Sequence, residues 1–159
     1  MNAREVAALS PEAREAFHRT AEARIATHHY SKPANDGRPK GIVTVARSEN
    51  LKVHVQIVTE GGENNLHYHL NSDTTWMVLH GRVRFYGVGD VLLAELGPQE
   101  SIFLPGGSRY WFEKSGPEDL EILQMVGIDK HGGSPDRINV ERHKDWMVDA
   151  DLQLYEPTV

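Results

Sequence analysis

Residues 61–69 read Gly61-Gly62-Glu63-Asn64-Asn65-Leu66-His67-Tyr68-His69, and this stretch decides how the rest of the chain is interpreted. If the stretch is extended, His67 and His69 point to one face of a strand, roughly 6.6 Å apart at about 3.3 Å per residue. Two imidazoles at that spacing can converge on one metal ion, at about 2.0–2.1 Å per nitrogen. Two solvated or hydrogen-bonded histidines are the alternative, because short motifs also arise by chance.

The segments around this stretch are rich in residues that favour β-strands. Val, Ile, Tyr, Phe and Trp gather in short runs, and Gly, Pro, Asn or Asp interrupts nearly every gap. The runs predict nine strands, at residues 42–46, 51–59, 66–69, 75–80, 82–86, 91–95, 101–104, 109–113 and 120–126. No segment with a helical period lies between residues 42 and 126, which argues against a parallel α/β sheet and favours an antiparallel sandwich or barrel.

Two motifs in this region follow a known pattern. The first combines Gly, five residues, His-x-His and a later Gly, and the second contains Pro-x-Gly; the matching positions are Gly61, His67, His69, Gly81, Pro105 and Gly107. In these motifs residues 42–126 resemble the cupin superfamily. The resemblance implies an all-β fold, a double-stranded β-helix or jelly-roll barrel with the site in its interior.

The remaining segments flank this predicted barrel, which we place at residues 42–128. Ser10, Pro11 and Glu12 predict a helix start, because Ser caps, Pro fits the first position and Glu complements the helix dipole. We expect this helix to end near His28 and residues 1–41 to form a helical arm and connector. Residues 129–159 are expected to be a tail that packs on the barrel or on a partner subunit. Small barrels of this type often pair through edge strands and terminal arms, and the N-terminal arm suits such pairing, so we predict a homodimer.

Two ligand positions of the cupin pattern carry other residues in this chain. The family's metal-binding Glu is replaced by Thr74, with Asp73 beside it, and its third His by Tyr110. We expect Thr74 to hydrogen-bond a water or substrate, or to fill space on its strand. For Tyr110 the sequence leaves three interpretations: a phenolate ligand whose pKa near 10 is lowered by metal charge, a neutral proton donor, or a buried aromatic.

Strand alternation predicts which side chains share the interior with the two histidines. Phe112 lies two residues after Tyr110, and Trp76 two residues after Thr74, so both should face inward. There they line a substrate pocket or fill the core. Arg84 and Arg109 are candidates to clamp a substrate carboxylate, or are exposed arginines on strands.

One predicted strand, residues 51–59, has an apolar and a polar face. Val53, Val55 and Ile57 alternate with Lys52, His54 and Gln56. We expect the valine face to be the core and the polar face to be solvated, following general burial preferences. The alternative is that the polar face lines the interior.

Composition limits the class of protein. The chain has 159 residues, 39% of them hydrophobic and 25% charged, which suits one globular domain. It has no cysteine, which excludes disulfides and thiolate metal sites and leaves its nine histidines as the main candidate ligands. The net charge of −6 argues against nucleic acid. There is no apolar run of the ~18 residues that a membrane span needs and no secretory signal, so we expect a cytoplasmic protein.

These features predict a metal-dependent enzyme that acts on a small organic molecule. A site with two histidines and open positions suits one divalent ion, with Fe(II) favoured and Ni, Mn or Zn as alternatives. The resemblance implies oxidoreductase chemistry at Fe(II): a dioxygenase or carbon–carbon cleaving enzyme on a diketone, enol or hydroxy-ketone. The alternatives are a lyase, isomerase or cyclase that uses the metal as a Lewis acid, and a metal-free barrel that binds a small ligand.

Overall fold

The structure is a computed structural model that describes residues 1–34, 36–129, 131–132, 137–142, 144–147 and 153–155. They form two compact units, Met1–His29 and a larger unit that begins at Tyr30. The predicted C-terminal tail is therefore described in part, since residues 130, 133–136, 143, 148–152 and 156–159 lie outside these ranges.

The first unit contains helices α1 (Ala3–Ala7) and α2 (Pro11–Glu22). The Ser10 hydroxyl accepts a hydrogen bond from the Ala13 amide, which confirms the predicted helix start. The helix ends at Glu22, not near His28 as predicted. The next amides donate to carbonyls three residues back, from Arg24 to Ala21 and from Ile25 to Glu22, and so close the helix with a tighter turn. Among the described residues, no helix is long and apolar enough to cross a membrane.

The larger unit is built from β-strands. They are β1 (Lys40–Arg47), β2 (Leu51–Val58), β3 (Asn64–His69), β4 (Ser72–His80), β5 (Arg82–Tyr86), β6 (Leu92–Leu96), β7 (Ser101–Leu104), β8 (Tyr110–Ser115), β9 (Leu120–Ile128), β10 (Arg137–Asn139) and β11 (Gln153–Tyr155). All nine predicted strands are present as β1 to β9. β10 and β11 were not predicted, because strands of three residues are too short to show an alternating period.

The strands form two sheets with the orders β11-β1-β2-β9-β4-β7 and β10-β3-β8-β5-β6. Neighbouring strands are antiparallel, except that β11 runs parallel to β1. Apolar side chains from both sheets meet in one core cluster: Val58, Trp76, Val78, Val83, Phe85, Leu104, Tyr110, Phe112, Leu120 and Ile122. The predicted all-β fold of facing sheets is confirmed.

The outer face of the six-stranded sheet is buried as well. Val55 and Ile57 pack with Tyr30 in a second apolar cluster, and the Tyr30 hydroxyl donates a 2.5 Å hydrogen bond to Glu121. His54 and Gln56, on the opposite face of β2, line the space between the sheets. The expected burial of the valine face is therefore confirmed, and the expectation that the polar face is solvated is wrong. The chain around Tyr30 covers the valines, so this strand is buried on both faces.

Two motif glycines close turns near the ends of the strands. Gly81 joins β4 to β5 with φ +76°, and a Cβ atom there would lie 2.5 Å from the Asp119 carbonyl oxygen. Gly107 precedes β8 with φ +85°, and a Cβ atom there would meet no atom within 4 Å. Positive φ explains both glycines, and close backbone approach adds a second constraint at Gly81 only.

Candidate active site in the barrel cavity

A cavity of ≈ 200 Å³ lies between the two sheets. It is lined by Lys40, Lys52, His54, Gln56, Asn64, His67, His69, Ser72, Thr74, Trp76, Tyr110, Gln124, Val126 and Arg137. The structure thus brings together five of the predicted site residues, which are His67, His69, Thr74, Trp76 and Tyr110. Most of the lining side chains are polar, which is unusual for the interior of so small a barrel.

His67 is held in one tautomer by its own strand. Its side chain is 2% exposed, and its Nδ1 atom lies 2.7 Å from the Asn65 carbonyl oxygen. A carbonyl oxygen can only accept, so Nδ1 carries the proton and Nε2 keeps its lone pair. Burial, with a smaller contribution from the Arg137 charge, lowers the pKa of His67 to about 3. The ring is therefore neutral at physiological pH, the form that binds metals.

His69 lies two residues further along β3, at the half-buried end of the strand. The ring centres of His67 and His69 are 5.2 Å apart, with the ring planes at 88°. An imidazole nitrogen about 2.1 Å from a metal ion places its ring centre about 3.2 Å from that ion. Two ring centres 5.2 Å apart can therefore share one ion.

Tyr110 pairs with His67 in the register of β3 and β8, and their ring centres are 4.6 Å apart. Burial raises the pKa of Tyr110 to about 12, against the opposing influence of the Trp76 indole and the Arg137 charge. Burial thus favours the neutral phenol over the phenolate. This environment supports the proton-donor interpretation better than the ligand interpretation.

The donor set of the cavity fits a divalent ion held by two imidazoles. Thr74, at the position of the family's Glu, lines the cavity as a neutral hydroxyl. Asp73 points away and accepts a 2.9 Å hydrogen bond from the Gly106 amide. Over the described ranges, no group of three or more His, Cys, Asp or Glu side chains is placed to hold a metal ion. A metal bound here would therefore keep several positions open for other ligands.

A polar belt that the sequence did not predict crosses the six-stranded sheet. The Gln56 amide nitrogen donates to Gln124 Oε1 at 3.1 Å and lies 3.4 Å from His54 Nε2. Two buried atoms at this level, Gln56 Oε1 and Trp76 Nε1, have no hydrogen-bond partner among the described residues. Buried polar groups are nearly always paired, so these two atoms point to a ligand or an ordered water. The alternating sequence of β2 predicted that His54 and Gln56 share one face of the strand, but it did not predict that this face lines the interior.

Three cations also line the cavity, and none was predicted as a site residue. They come from three strands: Lys40 from β1, Lys52 from β2 and Arg137 from β10. Burial, followed by the Arg137 charge, lowers the pKa of Lys40 to about 8, against the opposing effect of Glu63. Arg137 donates to Asn139 Oδ1 at 2.9 Å and also contacts the Asn65 side chain. A strand of three residues beyond the predicted barrel offered no signal for Arg137.

Three predicted substrate-binding residues lie elsewhere. Arg84 is on the outer face of its sheet, where its Nε donates a 3.1 Å hydrogen bond to Glu95. Arg109 is exposed in the turn before β8 and does not line the cavity. Phe112 is wholly buried in the core against Trp76 and does not line the cavity either. Strand alternation correctly predicted that Phe112 faces the interior. Its ring is enclosed by other core side chains and does not line the cavity.

Solved structures share this fold. An uncharacterised conserved protein with a double-stranded β-helix domain from Klebsiella pneumoniae has a TM-score of 0.58 and 21% identity, covering 77% of this chain and 95% of that one. An RmlC-like cupin protein from Desulfovibrio desulfuricans has a TM-score of 0.55 and 20% identity, covering 65% and 97%. A cupin superfamily protein from Desulfitobacterium hafniense has a TM-score of 0.54 and 17% identity, covering 67% and 99%.

No family model and no curated protein sequence matches the chain. The likeness to the solved structures is one of fold, since all three identities are low. It confirms the predicted double-stranded β-helix, and the resemblance to cupins holds at that level. Fold alone does not define a reaction, which depends on the side chains that line the cavity.

Proposed function

We propose that the cavity is the active site of a metal-dependent enzyme acting on a small organic molecule, with His67 and His69 as the protein ligands of one divalent ion. The hydrogen bond from His67 Nδ1 to the Asn65 carbonyl oxygen carries this proposal. Outer hydrogen bonds of this kind fix the tautomer and orientation of metal-binding histidines. A solvated histidine would not need this fixed tautomer, which leaves the Nε2 lone pair of His67 for a ligand.

When bound, a divalent ion would supply Lewis-acid polarisation of a substrate oxygen. Fe(II) is the favoured ion, and Ni, Mn and Zn suit the same nitrogen and oxygen donors. We favour oxygenation or carbon–carbon bond cleavage of a diketone, enol or hydroxy-ketone as the reaction class. The support is the small number of protein ligands, since this leaves room for substrate.

The chain's own residues have distinct roles in this proposal. Tyr110 holds its proton because burial raises the pKa of the phenol, so it can donate that proton to a substrate oxygen. Thr74 and Trp76 orient the substrate with a hydroxyl and an indole N–H at the cavity wall. Because His67, Trp76 and Tyr110 are all nearly fully buried, bulk water has little access to the reacting groups.

Two alternatives each have an observation in their favour. The neutral phenol of Tyr110 suits proton transfer without oxygen, as in a lyase, isomerase or cyclase. The three cations in the cavity lining favour a metal-free barrel that binds a small anion, because like charges oppose a divalent cation.

Metal analysis distinguishes the enzyme proposal from the metal-free barrel. Protein purified without chelator is compared with the double variant His67→Ala/His69→Ala. The control is His28→Ala/His80→Ala, which changes two exposed histidines outside the cavity. We expect bound divalent metal in the native protein and in the control, and its loss in the His67/His69 variant. Equal, near-zero metal in all three would overturn the metal-dependent enzyme.

A further inference from the structure

We infer that the cavity takes a small organic acid that also carries a hydroxyl or amino group, with Lys40 as its anchoring cation and Trp76 and Gln56 as its hydrogen-bond partners. The inference deepens the proposed function by naming the substrate class, and it rests on that proposal only in placing the active site in this cavity. Three independent features of the lining support it: its charge, its unpaired polar atoms and its size.

The cavity lining carries basic side chains and no acidic ones among the described residues. Lys40, Lys52 and Arg137 contribute three cations, and among the described residues no Asp or Glu side chain lines the cavity. Glu63 acts electrostatically on Lys40 from outside the lining, and the aromatic ring of Phe112 lies beneath it, 5.6 Å from Nζ. Burying a cation without a full counter-charge is costly, and an anionic ligand removes that cost. The cavity therefore favours an anion over a neutral or cationic molecule.

The unpaired atoms define the rest of the ligand. The side chain of Gln56 is 7% exposed and that of Trp76 is 1% exposed, and both line the cavity. Gln56 Nε2 is already engaged with Gln124 Oε1, so Gln56 Oε1 is left to accept a hydrogen bond. Trp76 Nε1 has no acceptor at hydrogen-bond geometry, although the Tyr110 hydroxyl lies near enough for the indole to oppose the rise in the pKa of Tyr110. A ligand that satisfies both must offer one donor, such as a hydroxyl or amine, and one acceptor, such as a carboxylate oxygen.

The dimensions restrict the ligand to a short molecule. A volume of ≈ 200 Å³ is below the roughly 300–1,000 Å³ of sites for drug-sized ligands. Lys40 pairs with Val58 in the register of β1 and β2, and Gln56 is two residues from Val58 on the same face. Diagonal neighbours of this kind are roughly 7–8 Å apart, so a compact hydroxy acid can contact both side chains.

The test uses chelator-treated protein and three small probes. Glycolate has a carboxylate and a hydroxyl, glycolamide is its neutral counterpart, and acetate lacks the hydroxyl. Binding is followed by the indole N–H signal of Trp76 in nitrogen-15 NMR spectra, assigned by its absence in Trp76→Phe. We expect glycolate to shift this signal, glycolamide to bind about tenfold or more weakly, and acetate to bind more weakly than glycolate.

The variants assign the interaction to residues. Lys40→Met should weaken glycolate binding about tenfold or more, while Lys40→Arg keeps a cation and should retain the preference for glycolate over glycolamide. Arg109→Gln removes an exposed cation outside the cavity and should leave binding unchanged. Gln56→Met should abolish the advantage of glycolate over acetate. The inference is overturned if that advantage persists in Gln56→Met, or if glycolamide binds as tightly as glycolate. It is also overturned if glycolate fails to shift Trp76 up to about 0.1 M, where even a millimolar ligand saturates its site.

The same titration on His67→Ala/His69→Ala separates this inference from the proposed function. Glycolate binding that survives in this variant and falls in Lys40→Met supports the anion site, whatever the metal analysis shows. Binding that is lost in the histidine variant and unchanged in Lys40→Met places the anion at the histidine pair and overturns the inference. Absence of metal together with Lys40-dependent glycolate binding removes the metal-dependent enzyme alone.

Discussion

The Nδ1 atom of His67 lies 2.7 Å from the backbone carbonyl oxygen of Asn65, two residues earlier on β3. This hydrogen bond fixes the tautomer and orientation of the ring before any ligand arrives, and burial keeps the ring neutral, so the cavity is preorganised at that position. The strand that carries the histidine also supplies its partner. Tautomer and strand conformation are therefore coupled, and a change in the backbone of β3 would disturb both.

We expect acid to destabilise the metal-free protein through His67. Burial lowers its pKa to about 3 in the folded protein from 6.5, its ordinary value, so between these values only the unfolded chain gains the proton. The stabilisation is fully present above pH 6.5 and is lost as pH falls towards 3, at up to about 1.4 kcal/mol per pH unit. Urea unfolding of chelator-treated protein at about pH 7 and about pH 5 measures this loss.

The matched variants for this measurement are His67→Gln and His80→Gln. The first should flatten the dependence on pH, leaving the smaller part that comes from His54, whose pKa is also lowered by burial. The second changes an exposed histidine at the end of β4 and should not alter the dependence. Equal dependence in the native protein and in His67→Gln would contradict the prediction.

We expect Tyr110→Phe to keep its metal and lose its activity. Because burial raises the pKa of Tyr110 to about 12 in the metal-free protein, we expect the phenol to keep its proton and to serve as a donor rather than as a ligand. Turnover, once a substrate is known, should fall by roughly 10²–10⁴, the usual contribution of a general acid or base. Metal content measured beside the native protein should be unchanged. A parallel loss of metal, or a visible tyrosinate colour in the oxidised iron form that Tyr110→Phe abolishes, would show ligation instead.

We expect the two motif glycines to respond differently to alanine. In Gly107→Ala the cost is that of positive φ alone, about 1 kcal/mol, because nothing lies near the new Cβ atom. In Gly81→Ala the same cost is joined by a contact of 2.5 Å with the Asp119 carbonyl oxygen, so backbone must move. The loss in the free energy of unfolding, measured in urea, should be larger for Gly81→Ala by about 1–3 kcal/mol. Equal losses would show that the turn at Gly81 relaxes freely.

We predict that the protein is a homodimer, with β6 and β7, two of the four described edge strands, as the candidate contact. Each ends its sheet, and each carries exposed apolar side chains, including Leu92 at 52% and Phe103 at 60% exposed. Open edges with apolar side chains invite pairing with a second copy. Light scattering at about 10 μM should give a dimer mass for the native protein and for Leu51→Asp, an exposed position on β2, but not for Phe103→Asp. A monomeric mass for the native protein would refute the prediction.

The sequence was most informative where one face of a strand alone is buried. Trp76 was correctly predicted to face inward, because β4 alternates between more and less buried positions. Tyr110 also faces inward as predicted, although Trp111 on the opposite face of β8 is buried too. His54 and Gln56 were misjudged, because Tyr30 covers the opposite face of their strand and both faces are buried. Alternation gives the period of a strand but not which face meets the interior. The face depends on what covers the sheet, which is a property of distant sequence.

The cationic half of the site could not be predicted for a related reason. Lys40 begins β1 at the end of a connector rich in proline and glycine, and Arg137 stands on a strand of three residues. Neither has a local pattern that marks a binding residue. Arg84 and Arg109 satisfied the chemical criterion for a carboxylate clamp, but the fold places both outside the cavity. Arg137 lines the cavity because β10 pairs with β3, a strand far from it in the sequence.

The unpaired Oε1 atom of Gln56 lowers the stability of the ligand-free protein, which matters when variants are selected for thermal stability. A buried polar atom without a partner weakens the empty fold, so a hydrophobic replacement at this position is favoured by any selection that scores stability alone. Laboratory evolution for thermal tolerance would therefore tend to replace Gln56 with a hydrophobic residue that packs as part of the core. The resulting protein would be hardier and unable to recognise its ligand. A ligand or an ordered water that donates to this oxygen would offset the cost, and the inferred ligand would give Gln56 a reason to be retained.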